Sequence, residues 1–450
     1  MLKPFLILCL IPLSHAYTVF ETNCTSPTTL TNFVSAPNTR GTLDILWSSL
    51  FTIFACTWTL QHPNVPNQRD NLDAQPWGKD GGMSARWTRA KWGLESFYRS
   101  SLRMLWTIIA PELIMTAASA ELMDAHTNLK DMQAIAAQDR VSWTLTHSHF
   151  ANMGGFVIRG TPTPNQQHHD PYHLNGTCVL MLRSEGHITR LPDLTEAEIN
   201  DKSKGDVLVK LIALGQIVWA TIHIIVRAVR RLPVSPLEVA VVAFAACAVF
   251  IYGLYWGKPQ RVGIAHTIRL NNTSRSHGGA IPPEVYYGIR VEVPSRVFKT
   301  IYSGVLLGII GIESEAETLP GAPISIDTDN GAVGDPLRIG GIVAIGAAVF
   351  GGLHAIAWNF AFPSAVELAL WRFASIYTAA APLCVVLLTI FASKRDSKLG
   401  ERLPGAIGFI LMFGYVLARL FILVEMFRTL FFLPPGSYIS TWTSNIPHLE

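Results

Sequence analysis

Long apolar runs alternate with short polar turns along most of the chain. After the amino terminus, eight stretches are apolar for long enough to enter lipid: 43–60, 104–120, 207–227, 237–256, 298–312, 338–358, 373–393 and 405–431. Crossing about 30 Å of hydrocarbon takes around 20 helical residues. The pattern predicts an all-α fold, a polytopic transmembrane helix bundle of about eight spans, with one lumenal insert between the second and third. The fifth stretch, FKTIYSGVLLGIIGI, is the shortest, so a re-entrant segment is the alternative there. Before all of these, residues 1–16 (MLKPFLILCLIPLSHA) combine Lys3, a short apolar run and the small-residue site Ser14-His15-Ala16. That is the pattern of a secretory signal peptide, with an uncleaved signal anchor as the rival reading.

Charge gives the runs a direction. With a lumenal amino terminus, the linker 61–103 is cytosolic, and it holds Arg69, Lys79, Arg86, Arg89, Lys91, Arg99 and Arg103. The turn after the third span has Arg227, Arg230 and Arg231, and the turn after the seventh has Lys394, Arg395, Lys398 and Arg402. All three clusters fall on one side, as the positive-inside rule asks. Glycosylation acceptors at Asn23, Asn175, Asn271 and Asn272 all fall on the other side in the eight-span arrangement. Cys24 and Cys178 are lumenal as well, and a disulfide between them is one option in an oxidising compartment, two free thiols the other. Cys56, Cys247 and Cys384 lie within spans and are expected to pack as small apolar residues.

The resulting division is a signal peptide (1–16), a tail with two spans and a basic loop (17–120), a lumenal segment (121–206) and a membrane bundle of about six spans (207–450). Within 121–206, a helix-like stretch runs to His147, a Gly- and Pro-rich loop follows, and Thr195 with Glu198 forms a capping box for a short helix. The acidic stretch 313–335 lacks apolar periodicity and reads as a flexible loop.

Composition sharpens this class. Hydrophobic residues make up 49% and charged residues only 15%, against about 25% charged in a soluble domain; mean hydropathy is +0.30. A net charge of +3 gives no electrostatic basis for nucleic-acid binding. The lipid bilayer is the first expected partner.

Ionisable residues within spans are costly, so each is a functional candidate. Glu112 follows Pro111 in the second span, His354 lies toward the end of the sixth, and Arg419 sits near the middle of the eighth without a local partner. Residue count puts Glu112 and Arg419 at similar depth, so they are the expected pair, either a structural clamp or part of a functional pocket. Glu112, His354 and Arg419 are the candidate acid–base or electrostatic groups, and Asn359 and Arg372 the candidate substrate-binding residues. Glu425 and Arg428 are i,i+3 neighbours able to pair on one helix face. Ser364 and Glu367 form a second capping box between Trp358 and Trp371, which are expected at the interface. HHDPYH (168–173) and His147-Ser148-His149 could ligate a metal, but both read better as polar or structural histidines, so no metal and no cofactor are expected. Phosphate-binding loops, nucleophile elbows and H-E-x-x-H are absent from the sequence.

Several ordered stretches carry a resemblance: TRGTLDILWSSLFTIFACTWTLQHPNVP (39–66), WTLTHSHFANMGGF (143–156), LTEAEINDKSKGD (194–206), LPVSPLEVAVVAF (232–244), WGKPQRV (256–262), FGGLHAIAWNFAFPSAVELALWR (350–372) and YVLARLFILVEMFRTL (415–430). In these the chain resembles a large family of fungal multi-pass membrane proteins, most of them uncharacterised, some encoded in secondary-metabolite gene clusters. The resemblance transfers no catalytic residues. It implies a part in natural-product assembly at an endomembrane such as the endoplasmic reticulum. The leading expectation is a factor that assists cyclisation or tailoring of a lipophilic polyketide, hybrid or terpenoid intermediate, with other pathway enzymes as further candidate partners. A small-molecule exporter and a non-catalytic scaffold are the alternatives.

Overall fold

The computed structural model describes residues 39–66, 68, 83–159, 172–205, 207–271, 336–393 and 398–442. The signal peptide, Asn23, Cys24, Asn272, His168–Asp170, segment 298–312, the acidic stretch 313–335 and Lys394–Arg395 lie outside the described residues. The first half of the chain gives helices α1 (Thr42–Thr59), α2 (Met83–Ile109), α3 (Pro111–Asp139) and α4 (Leu145–Asn152), strands β1 (Phe156–Ile158) and β2 (Tyr172–Leu174), and helices α5 (Gly176–Ser184) and α6 (Glu196–Asp201). There follow α7 (Val207–Val229), α8 (Pro236–Leu254), strand β3 (His266–Ile268), α9 (Pro336–His354), α10 (Ala365–Ser393) and α11 (Lys398–Arg428).

Helices dominate because lipid offers no partner for backbone N–H and C=O groups, and a helix satisfies them within one segment. Among the described residues, five stretches are long and apolar enough to cross a membrane: Val209–Val229, Pro236–Leu254, Gly341–Asn359, Ala365–Leu388 and Ala406–Phe432. α1 is an 18-residue helix that packs into the same bundle, with Ile45, Ile53 and Cys56 in the core shared by Ala240, Phe244, Phe350 and Trp371. Close approach helps bind the bundle. At Gly351 of α9 an added Cβ would lie 2.7 Å from the backbone nitrogen of Ala379 in α10.

The two ends of the bundle differ in construction. One end, the base, is tied by hydrogen bonds between distant segments. The Arg40 amide donates to the Tyr438 carbonyl (2.9 Å), and Thr39 pairs with Ile439. Arg40 also pairs with Glu238 at 2.6 Å, where Ser235 and Glu238 form a capping box that starts α8.

The opposite end carries a small folded cap with its own core of Met132, Trp143, Phe150, Phe156, Leu174 and Leu182. Its three-stranded sheet has the order β2-β1-β3, with Phe156 opposite Leu174 in an antiparallel pair and opposite His266 in a parallel one. The parallel partner β3 arrives only after the α7–α8 hairpin, so the sheet fastens cap to bundle. The cap also takes in the chain after α1: the Val65 amide donates to the Met153 carbonyl, and Gln260 Nε2 donates to the Thr59 and Gln61 carbonyls. The insert at 121–206 is therefore completed by residues on either side of it, 61–68 and 257–271.

Three expectations change. The long helix expected through His147 ends at Arg140, which takes a left-handed conformation (φ 54°), and α4 restarts after Thr144. The beginning of the 61–103 linker does not lie opposite the insert, because Val65 packs into the insert's core and its amide bonds Met153. The span expected at 104–120 is not one straight helix. Ala110 is extended (φ −145°, ψ 72°) and the axis turns through 109°. Proline disfavours the helical conformation in the residue before it and has no N–H for the preceding turn, so the ladder stops at Ala110 and restarts with Pro111 in the first turn of α3.

That turn sends the chain back. α2 reaches the break from the cap end, where Gln61 Nε2 donates to the Ser100 carbonyl (3.0 Å). α3 leaves toward the same end, where Glu121 pairs with Lys258 (2.6 Å).

Candidate functional site

The break between α2 and α3 is built inside the bundle, with Ala110 4% exposed. Glu112 lies in the first turn of α3, where the helix dipole favours a carboxylate. Arg419 comes from the middle of α11, and its Nε donates to the Ile109 carbonyl (2.9 Å), one of the last carbonyls of α2. The two broken helix ends thus meet charges of the complementary sign. Gly346 of α9 makes room for this, since a Cβ there would lie 3.2 Å from that of Glu112.

Glu112 and Arg419 form an ion pair at 3.6 Å, with side chains 3% and 4% exposed. The separation is too long for a hydrogen bond. Among the described residues, Glu112 Oε2 and Arg419 Nη2 have no hydrogen-bond partner. The other carboxylate oxygen, Oε1, accepts a hydrogen bond from the Tyr415 hydroxyl. The Arg419 guanidinium stacks 4.1 Å from the Phe350 ring centroid and 5.7 Å from that of Tyr415. The arrangement can move a proton between a phenol and a carboxylate, and a fixed cation faces them.

The remaining candidates sit elsewhere. His354 is buried one ring away, 4.8 Å from Phe350 between centroids, with Nδ1 on the Phe350 carbonyl. Arg372 and Asn359 bond each other (3.2 Å) at an exposed turn of the base, and Arg372 also donates to the Trp358 carbonyl and lies over that ring. Neither reaches the buried pair. Trp371 is not interfacial: it is fully buried and donates to the His354 carbonyl (3.1 Å). Arg428 pairs with Glu367 across helices at 2.5 Å rather than with Glu425 on its own. The Ser364–Glu367 and Thr195–Glu198 capping boxes are both present.

In the cap, Asn175 is buried and its Oδ1 caps α5 through the Cys178 amide (2.8 Å), so the folded protein does not present it as a glycosylation acceptor. Asn271 is half-buried and donates to the Gly186 carbonyl. Cys178, in the first turn of α5, is buried. His147 is held at both ring nitrogens, by Thr144 and by the Leu194 carbonyl, whereas His149 is buried with Nε2 unpartnered. Burial pushes the imidazoles of His149 and His62 down to about 3, so both are neutral. Among the described residues, no group of His, Cys, Asp or Glu could hold a metal ion.

Tyr415 and Phe350 were missed from sequence. Tyr415 lies four residues before Arg419, hence on the same helix face; Phe350 carries no sequence signal beyond its apolarity.

Taken together, the chain is a helical membrane protein with a broken helix pair and an ion pair buried inside its bundle. It belongs to a family of unknown function (DUF8562), matched over residues 13–275. That match spans α1 to β3 and includes Glu112, while His354, Tyr415 and Arg419 come from the helices beyond it. Neither the curated proteins nor the solved structures contain a match.

Proposed function

We propose that the protein assists the cyclisation or tailoring of a lipophilic biosynthetic intermediate, acting at the Glu112–Tyr415–Arg419 cluster. The single observation that carries this reading is the pair of orphaned atoms at the helix break, Glu112 Oε2 and Arg419 Nη2. Leaving polar atoms of a buried ion pair without hydrogen bonds is costly, and such groups within a membrane bundle are the default functional candidates. A substrate hydroxyl placed between them would satisfy both, donating to Glu112 Oε2 and accepting from Arg419 Nη2. The surrounding apolar helices suit a substrate drawn from lipid, and Tyr415 with Glu112 would serve as proton donor and acceptor.

The resemblance to a family of fungal membrane proteins, some members of which are encoded in secondary-metabolite clusters, supports a polyketide, hybrid or terpenoid intermediate. With the signal-like amino terminus, it suggests the endoplasmic reticulum or a derived membrane. A second reading, export of a small molecule, draws on the broken helix pair, since discontinuous helices commonly form transporter sites.

Gene deletion with metabolite profiling separates the readings. An altered carbon skeleton or an accumulated precursor supports catalysis, reproduced in isolated membranes. An unchanged product retained inside cells supports export. A product unchanged in structure, amount and location overturns both.

A further inference from the structure

Among the described residues, one surface of helix α2 is left uncovered by the bundle. Trp87, Leu94, Phe97, Tyr98 and Leu105 are all exposed, Trp87 at 74% and Leu94 at 69%. Trp87, Leu94, Tyr98 and Leu105 follow one another at spacings of seven, four and seven residues, which puts them on one stripe of the helix. Lys91 and Arg99 are exposed on the same stretch, and Arg86 and Arg89 belong to it in sequence. This helix is too polar through its first half to span, and its axis is turned through 109° from α3, which rises from the break into the cap. α2 therefore comes in from the cap end at a steep angle to α3, with Ser100 held to Gln61 there.

We infer that the first part of α2, residues 83–99, lies in the headgroup region of the cap-side leaflet and binds anionic phospholipid there. The apolar stripe enters the acyl boundary, as in interfacial amphipathic helices. Trp87 and Tyr98 are the residue types favoured at that depth. Lys91 and Arg99 meet the headgroup charge, and their sign selects an anionic leaflet. The occupant is lipid rather than a protein because exposed cations, Lys91 and Arg99, accompany an apolar stripe that reaches Leu105, one turn before α2 enters the bundle.

The full-length protein in nanodiscs tests this by amide hydrogen exchange of the 83–99 segment. Replacing phosphatidylcholine discs with discs containing about a third phosphatidylserine should slow that exchange at least about tenfold, since each basic residue near an anionic surface contributes about fivefold. The K91E/R99E variant and salt near 1 M should remove the difference, while K91R/R99K keeps it. The cap helix α4 reports intact folding in every sample; where K91E/R99E perturbs it, K91Q/R99Q replaces that variant. Equal exchange in the two disc types overturns the inference, as does protection that survives loss of the charges. Protection found only in discs holding two copies assigns the stripe to a protein contact and overturns it too.

Discussion

Two buried arginines show opposite ways of keeping a cation inside this bundle. Arg227, at the base, is fully buried, and every guanidinium nitrogen donates to a carbonyl: Nε and Nη2 to Pro233, Nη1 to Ile439, and Nη2 also to Gly436 and Ser437. Arg419, beside the helix break, has one such bond, to Ile109, and an Nη2 that faces a carboxylate 3.6 Å away without bonding it. The first is a clasp that fixes the segment after α11 against the α7–α8 turn. The second leaves donor and acceptor capacity unused at a point where the backbone is also broken. A satisfied charge holds structure together, whereas an orphaned one marks where a further group can bind. The cap repeats the contrast with His147, held at both nitrogens, and His149, unpartnered at Nε2.

The comparison breaks most readily at Arg227. Arg227→Met should destabilise the protein by about 3–5 kcal/mol, because a network of charge-assisted bonds is lost and buried carbonyls are stranded. Thermal unfolding in detergent, with proteolysis near residue 440 as a local probe, measures it. A cost under about 1 kcal/mol would mean the clasp is not structural.

The cap histidines give the next effect, through pH. His62 and His149 have folded-state values of about 3 against about 6.5 unfolded. Between these values the unfolded chain binds more protons, so stability is present above about pH 6.5 and falls as pH drops, by about 2 kcal/mol per histidine at pH 5. His149→Phe should flatten that dependence by its share, read from unfolding midpoints across the pH range.

At the break, the double variant Glu112→Gln/Arg419→Met removes both charges together and should stay within about 2 kcal/mol of wild type. Arg419→Met alone strands the Glu112 carboxylate and should cost about 3 kcal/mol or more. Equal costs for single and double variants would contradict the account of a poorly bonded pair. The smallest effect is at Ser364→Ala, which removes one helix cap worth about 1 kcal/mol and leaves the metabolite profile unchanged.

The sequence pattern made much of this legible. The bundle helices, the capping boxes at Thr195 and Ser364 and the complementary charges of Glu112 and Arg419 all follow from local chemistry. Sidedness did not. Counting basic residues assigns each arginine to water, yet Arg227 is buried in carbonyls, and the helix pair that meets at Pro111 is bent through 109°. The cap was only partly readable because it is assembled from 61–68, 121–205 and 257–271, joined by strands of three residues, too short to show alternation. Burial of Trp371 was likewise hidden, since its indole N–H answers a carbonyl that becomes available only where α9 ends at His354.

The central claim is that the Glu112–Arg419 pair works as a site rather than as a clamp. Its most direct test is the metabolite profile of cells whose only copy is Glu112→Gln/Arg419→Met, compared with wild type and deletion at matched levels of folded membrane protein. The account predicts the deletion profile despite a folded protein. A wild-type profile from that variant would contradict it.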